Sequence, residues 1–280
     1  MAELLESPER VEATGTEAPS ILTKAFDLLR SFNHHERVMS LSELSRASGL
    51  PKSTVHRLLA RLVELGAVEH HRSGYKIGLS LLQLGAGTPA GYMRDLGLPH
   101  LGQLHRWSGA TVHFAVLRQF DVVYLEKLAA TGSPASITSI GGRLPAHCTA
   151  IGKALLAHEN FDDLADFLPR PLPRMTARSM TDVDVLIGEL RKVRDAGIAR
   201  EDGEAQPGLA CIAAPVVLNG FAIGAVSLGY ASGSPLPERA EQALGITVRR
   251  IAEDVDAGLA QGREHWFPRE VAENRRPDER

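Results

Sequence analysis

The sequence is poor in cysteine, in long apolar runs and in repeats. Only two of its 280 residues are cysteine, Cys148 and Cys211, which excludes a disulfide scaffold and a cysteine-rich zinc module. Residues 1–19 carry five acids and one base with no apolar core, the opposite of a secretory signal. The most apolar stretch, Leu209 to Tyr230, is interrupted by Pro215 and by Asn219-Gly220. Asn-Gly is a strong hairpin signal, so the stretch reads as two buried strands and not as a membrane span. The expectation is a cytoplasmic protein with no membrane partner. No internal repeat is visible. At about 150 residues per domain the length suggests two domains. The hydrophobic and charged shares, 44% and 23%, are those of an ordinary globular chain.

Net charge is also small, at −3, but it is unevenly placed. Residues 1–19 sum to −4 and read, without periodicity, as a flexible tail. Residues 20–87 hold nine Lys or Arg against five Asp or Glu, together with five histidines, and residues 88–280 sum to −3. A small basic module on an acidic chain points to a polyanion partner. Charge alone leaves a solvated face equally open.

The basic segment has a legible order. Ser20 caps a helix with apolar spacing through Phe32, and Ser40 with Glu43 forms a capping-box pair before Leu41, Leu44 and Ala47. Gly49 closes that second helix, and Pro51 fits the first turn of a third. Val55, Leu58, Leu59 and Leu62 make the third helix's buried stripe, and Gly66 stops it. Val68–His71 and Tyr75–Ile77 then flank a tight turn, as in a small β-hairpin. Three helices and a hairpin make a winged helix-turn-helix. Opposite the apolar stripe, the third helix carries Lys52, Ser53, Thr54, His56, Arg57 and Arg61. Ser53, Arg57 and Arg61 recur every four residues and share one face. In a DNA major groove Arg reads guanine edges, and Ser or Thr reaches bases or phosphates. Ser53 and Arg57 are the candidates for base readout. Lys52, Arg61 and Arg72 at the hairpin tip are the candidates for phosphate, and Lys76 is also within reach.

Residues 88–108, with Gly91, Gly97 and Pro99, read as a linker helix open to a break at these residues. Strand-like runs follow at Thr111–Leu117, Val122–Leu128, Ser136–Ile140, Ile198–Arg200, Leu209–Leu218 and Phe221–Leu228. Helices are expected at Thr149–His158, Asp182–Ala196 and Pro237–Leu259. Hairpins mixed with helices imply an α+β domain on an antiparallel sheet over residues 109–261, and residues 262–280 read as a second flexible tail. Leu144 to Ala157 is a strand end entering a helix, whose free N–H groups suit a carboxylate; an ordinary capped helix is the other reading.

Enzymatic constellations are weak. His147 and Cys148 are adjacent, and neighbours rarely point at each other. Glu201-Asp202-Gly203-Glu204 could hold a hard cation but more often such a run is a solvated loop. Gly85 to Ala90 lacks the strand that a dinucleotide fingerprint needs, and Gly152-Lys153 lacks the rest of a P-loop. His34-His35 and His70-His71 have no ligand spacing. No cofactor and no catalysis are expected.

Four segments in the first half resemble the IclR family of bacterial transcription regulators: Ser20–Leu29, Leu41–Ser45, Gly49–Leu59 and Gly74–Gly78. In the second half Leu144–Ala157 and Gly208–Val216 are similar to that family's effector-domain motifs. The resemblance covers about residues 20–260. It implies a winged helix-turn-helix at 20–87 and a GAF-like effector domain. The regulator would bind a near-palindromic double-stranded operator and a small organic effector, acidic or aromatic. It would act as a dimer or a dimer of dimers. Carried over by position, the effector site comprises Leu144, Cys148, Thr149, Ala150, Glu201, Asp202, Cys211, Ser227 and Gly229. Some relatives have Asp, Ser and Ser at the acidic and last two positions. Glu201 and Gly229 depart from that pattern.

Overall fold

A computed structural model describes residues 20–32, 38–131 and 137–259. The expectations for the two tails and for His34-His35 lie outside those residues. The chain divides between Leu84 and Gly85 into two compact units.

In the first unit α1 (Ile21–Arg30) is capped by Ser20, whose hydroxyl accepts from the Thr23 N–H at 3.1 Å. Helix α2 (Leu41–Ser48) carries the full capping box of Ser40 and Glu43. Helix α3 (Lys52–Glu64) buries Val55, Leu58, Leu59 and Leu62 against Leu28, Met39 and Leu44. Strands β1 (Val68–His71) and β2 (Gly74–Ile77) form the hairpin. A backbone bridge joins Met39 to Tyr75, with N–H to carbonyl distances of 2.9 and 2.8 Å, and so ties the hairpin to the entrance of α2. Gly74 is required there, since a Cβ would stand 2.3 Å from the Met39 carbonyl oxygen. Helix α4 (Leu79–Ala86), which the sequence pattern did not reveal, runs across the division.

The second unit contains α5 (Pro89–Ser108), β3 (Thr111–Arg118), β4 (Asp121–Leu128) and β5 (Arg143–Pro145). A 3-10 turn at Ala146–Cys148 leads to α6 (Ala150–Leu156), α7 (Phe161–Phe167) and α8 (Val183–Ala196). Strands β6 (Ala199–Asp202), β7 (Leu209–Leu218) and β8 (Phe221–Ala231) and helix α9 (Ala240–Gly258) complete it. The six strands are antiparallel in the order β5-β4-β3-β8-β7-β6. Asn219 and Gly220, both at positive φ, turn β7 into β8, as the Asn-Gly pair requires.

The sheet is buried on both faces, and strand alternation assigns each residue a side. Phe114, Ile212, Val226 and Leu228 meet Leu101 of α5 and Leu244 and Ile251 of α9. Ala115, Ala213 and Ala225 meet Ala150 and Ala154 of α6 and Leu186 and Leu190 of α8. Helix α5 is continuous through Pro99, and Met93, Leu101 and Leu104 bury its face in this core. The segment read as a linker is thus a layer of the second unit. The strand expected at Ser136–Ile140 does not form: Ser136 lies outside the described residues, and 137–140 pair with no strand. The Ile137 N–H donates instead to the Gln206 side chain at 3.2 Å. The chain rejoins the edge of β4 at Gly141, whose N–H donates to the Tyr124 carbonyl at 2.7 Å.

Helix α6 is buried along its whole length, and Gly152 lies against the turn before it. A Cβ at Gly152 would fall 2.1 Å from the Ala146 carbonyl oxygen. A Gly152→Ala chain is expected to lose about 3 kcal/mol of stability in the second unit by overpacking, measured by urea unfolding.

Candidate functional site

Two groups of residues stand out, one in each unit. On α3 the apolar stripe fixes the rotation of the helix and turns Lys52, Ser53, His56, Arg57 and Arg61 to solvent. Thr54 is half-buried at the edge of that face. Arg72 is exposed in the hairpin turn. Two of the sequence candidates already have partners. Arg61 pairs with Glu64 at 2.6 Å, one turn along α3, and Lys76 pairs with Glu69 at 2.9 Å across the hairpin. Lys52, Arg57 and Arg72 have no ion pair among the described residues. The arrangement is an exposed helix with cationic and hydroxyl groups, flanked by a basic hairpin tip.

In the second unit a narrow, nearly filled cavity of about 20 Å³ lies over the sheet at the start of α6. Of the nine residues carried over from the family resemblance, Leu144, Thr149, Ala150, Glu201, Cys211 and Ser227 line it. Three do not. Cys148 is buried, but its thiol donates to the Pro145 carbonyl at 3.3 Å. Asp202 points outward because it follows the inward-facing Glu201 on β6. It pairs with Arg178 at 2.9 Å and accepts from the Ser232 hydroxyl at 2.6 Å. Gly229 stands behind the wall, where a Cβ would find ordinary contact, 3.6 Å from Cys211 Sγ and 3.7 Å from His113 Cε1.

His113, Tyr124, Thr138 and Gln206 also line the cavity and were not singled out from the sequence. His113 was detectable as the one titratable group in the otherwise uncharged run Thr111–Leu117. Its Nε2 meets Thr138 Oγ1 at 2.9 Å, and its Nδ1 lies 3.4 Å from Ser227 Oγ. Burial, with Lys127 nearby, drives its pKa down to about 3, so the ring is neutral. Burial has the reverse sign for an acid: it pushes Glu201 up to about 7, against the Glu204 N–H that donates to its Oε2 at 3.1 Å. Tyr124 is pushed up by the same cause. The cavity therefore presents neutral donors and acceptors and one acid that titrates near neutrality. Among the described residues no Lys or Arg lines it.

The adjacent His147 and Cys148 do not form a nucleophilic pair. His147 Nε2 donates to the Pro173 carbonyl at 2.9 Å, and burial pushes the Cys148 thiol up to about 12. The acidic run at 201–204 diverges, with Glu201 in the cavity, Asp202 outside and Glu204 on Lys153 at 2.6 Å. No helix among the described residues is long and apolar enough to cross a membrane.

Glu201 couples stability to pH. The folded chain holds its proton to about pH 7, whereas an unfolded chain releases it near 4.5. The associated stability is full below about pH 4.5 and is lost as pH rises to about 7. His113 acts oppositely, since only the unfolded chain takes up its proton as pH falls below 6.5. Unfolding curves of the unaltered chain and Glu201→Gln are expected to diverge over that Glu201 window, with the unaltered chain losing ground as pH rises.

The comparisons agree in both units. The family model for the IclR helix-turn-helix domain matches residues 21–72, and the one for the bacterial transcriptional regulator IclR C-terminal region matches residues 93–257. The chain is 31% identical over 217 residues to the HTH-type transcriptional regulator KdgR of Escherichia coli strain K12, covering 75% of this chain and 82% of that one. It is 29% identical over 250 residues to the regulator XynR of the same organism, covering 88% and 96%. The structure of an IclR homolog from Microbacterium hydrocarbonoxydans, complexed with 4-hydroxybenzoate, superposes with a TM-score of 0.77 at 28% identity, covering 85% of this chain and all of that one. The helix-turn-helix with its hairpin, the curled antiparallel sheet and these matches lead to one conclusion: the chain belongs to the IclR family of bacterial transcriptional regulators, with an N-terminal DNA-binding domain and a C-terminal effector-binding domain.

Proposed function

We infer that α3 enters the major groove of a near-palindromic operator and that Ser53 and Arg57 read base edges, with Lys52 and Arg72 on phosphate. The observation that carries this reading is the division of α3 into a fully buried apolar stripe and an exposed face on which Arg57 has no competing acid. Arg61 and Lys76 contribute more weakly, since each would have to leave a carboxylate. His56 and Thr54 flank the readout pair. A near-palindrome requires a two-fold partner. Exposed apolar side chains on α1 (Ile21, Leu22, Phe26) and α4 (Leu79, Leu82, Leu84) support a second copy of this chain as that partner. The protein works in the cytoplasm and performs no turnover; the relatives it matches are named regulators.

The effector, in this reading, is a small organic acid held in the cavity at Glu201. A protonated Glu201 donates to the ligand's carboxylate, with the Ser227 hydroxyl on the sheet and the Thr149 hydroxyl at the start of α6 also lining the cavity. The 4-hydroxybenzoate bound by the Microbacterium homolog is an acid of this kind. The ligand regulates by binding the DNA-competent and incompetent arrangements with different affinity.

Fluorescence anisotropy with the DNA upstream of the protein's own coding region, against random DNA, tests the first part. The upstream fragment is expected to bind preferentially. Arg57→Ala is expected to cost about 1–3 kcal/mol and to relax sequence preference at one position of each half-site. Unchanged affinity and preference in that variant would remove Arg57 from readout. For the effector, calorimetry with 4-hydroxybenzoate and related small acids is expected to show affinity falling about tenfold per pH unit above the Glu201 midpoint. Glu201→Gln should abolish that pH dependence.

A further inference from the structure

Lys153 is the one lysine whose side chain is wholly buried among the described residues, and neither DNA nor the cavity accounts for it. Its ammonium donates to Glu189 Oε1 on α8 at 2.6 Å, to Glu204 Oε1 at 2.6 Å, and to the Arg200 carbonyl on β6 at 3.1 Å. A buried ammonium must be paired to be tolerated. Here its partners sit on three separate pieces of chain. Glu204 belongs to the segment after β6, and that segment also supplies Ala205 and Gln206 to the cavity wall. The Glu204 backbone N–H is the donor on Glu201 Oε2. From the outer side, Ser179 Oγ donates to the Glu204 carbonyl at 2.7 Å, and Thr176 Oγ1 donates to the Gly203 carbonyl at 2.7 Å. The second oxygen of Glu204 is buried with no partner, so its charge is poorly dispersed.

We propose that Lys153 is a positioning residue of the effector site: by holding Glu204 it keeps the 203–206 segment in place and the Glu204 N–H on the Glu201 carboxyl, and so governs the cavity's acid without touching the ligand. The assignment of an effector to this cavity rests on the preceding reading; the Lys153–Glu204–Glu201 linkage does not. The groups that face Glu201 are Glu204, Lys153 on α6, Cys148 before α6, Cys211 on β7, Tyr230 on β8 and Tyr124 on β4, with Glu189 of α8 behind Lys153. Glu204 is the nearby negative charge and opposes ionisation of Glu201, while Lys153 favours it.

The test needs no ligand and uses the full chain. In Lys153→Met, hydrogen exchange of the residue 204 amide is expected to accelerate at least about tenfold while amides of α6 and α8 keep their protection. If that variant does not fold, Glu204→Leu cuts the same tether and is read by the same amide. Unchanged protection at 204, or equal loss across α6 and α8, overturns the proposal. In Glu204→Gln an acceptor for Lys153 remains but the negative charge is gone. The Glu201 midpoint, taken as the pH at which the difference in unfolding temperature with and without Glu201→Gln stops growing, should move to lower pH by about one unit. A purely structural tether would leave it unmoved, which also overturns the proposal. If no small acid binds and both shifts occur, the effector reading fails and the linkage stands.

Discussion

Helix α6 can lie where it does because residue 152 has no side chain. With hydrogen at that position the helix backbone settles onto the Ala146 carbonyl, and the alanines of β3, β7 and β8 receive it from below. That close contact places the rest of the second domain. It puts the α6 N-terminus, with Thr149 and Ala150, at the wall of the cavity. It also drives Lys153 into the interior, where only Glu189, Glu204 and a strand carbonyl can satisfy it. A larger spacing between helix and sheet would widen the cavity and strand the ammonium at once.

The DNA-binding domain obeys the same logic on a smaller scale. Packing of Val55, Leu58, Leu59 and Leu62 against α1 and α2 leaves α3 one permitted rotation. The chemistry of its outer face then follows from the residues between them. The Met39–Tyr75 bridge extends that rigidity to the hairpin, because the strand that carries Tyr75 is hydrogen-bonded to the residue before the Ser40 cap.

Much of this was legible in the sequence for local reasons. The Ser40–Glu43 box, the 55–58–59–62 stripe and the Asn219-Gly220 turn are each determined by neighbours a few residues apart, and all three occur as read. What was missed depended on distant partners. Residues 137–140 look like a strand, yet their hydrogen bonds go to Gln206 and to side chains of β3 and β4. Pro99 resembles a break, but the buried stripe of α5 outweighs one lost backbone bond. The cavity divides in the same way. Glu201 and Ser227 stand at motif positions, whereas His113 and Tyr124 join them only because β3 lies beside β8, and β4 beside β3, in the sheet order. Asp202 was carried in with its neighbour, and the period-two alternation of β6 turned it out.

The ion pairs Arg61–Glu64 and Lys76–Glu69 have a consequence for the search along DNA. Non-specific attraction to a duplex comes from condensed counterions released when phosphates are neutralised. A cation that already carries its own carboxylate displaces few of them, and the carboxylate left on the surface repels the backbone. If α3 and the hairpin meet the duplex as proposed, Lys52, Arg57 and Arg72 would supply most of this polyelectrolyte term. Such a surface would hold random sequence loosely and leave discrimination to base contacts. On that reading, little of the regulator's time would be spent on the wrong DNA.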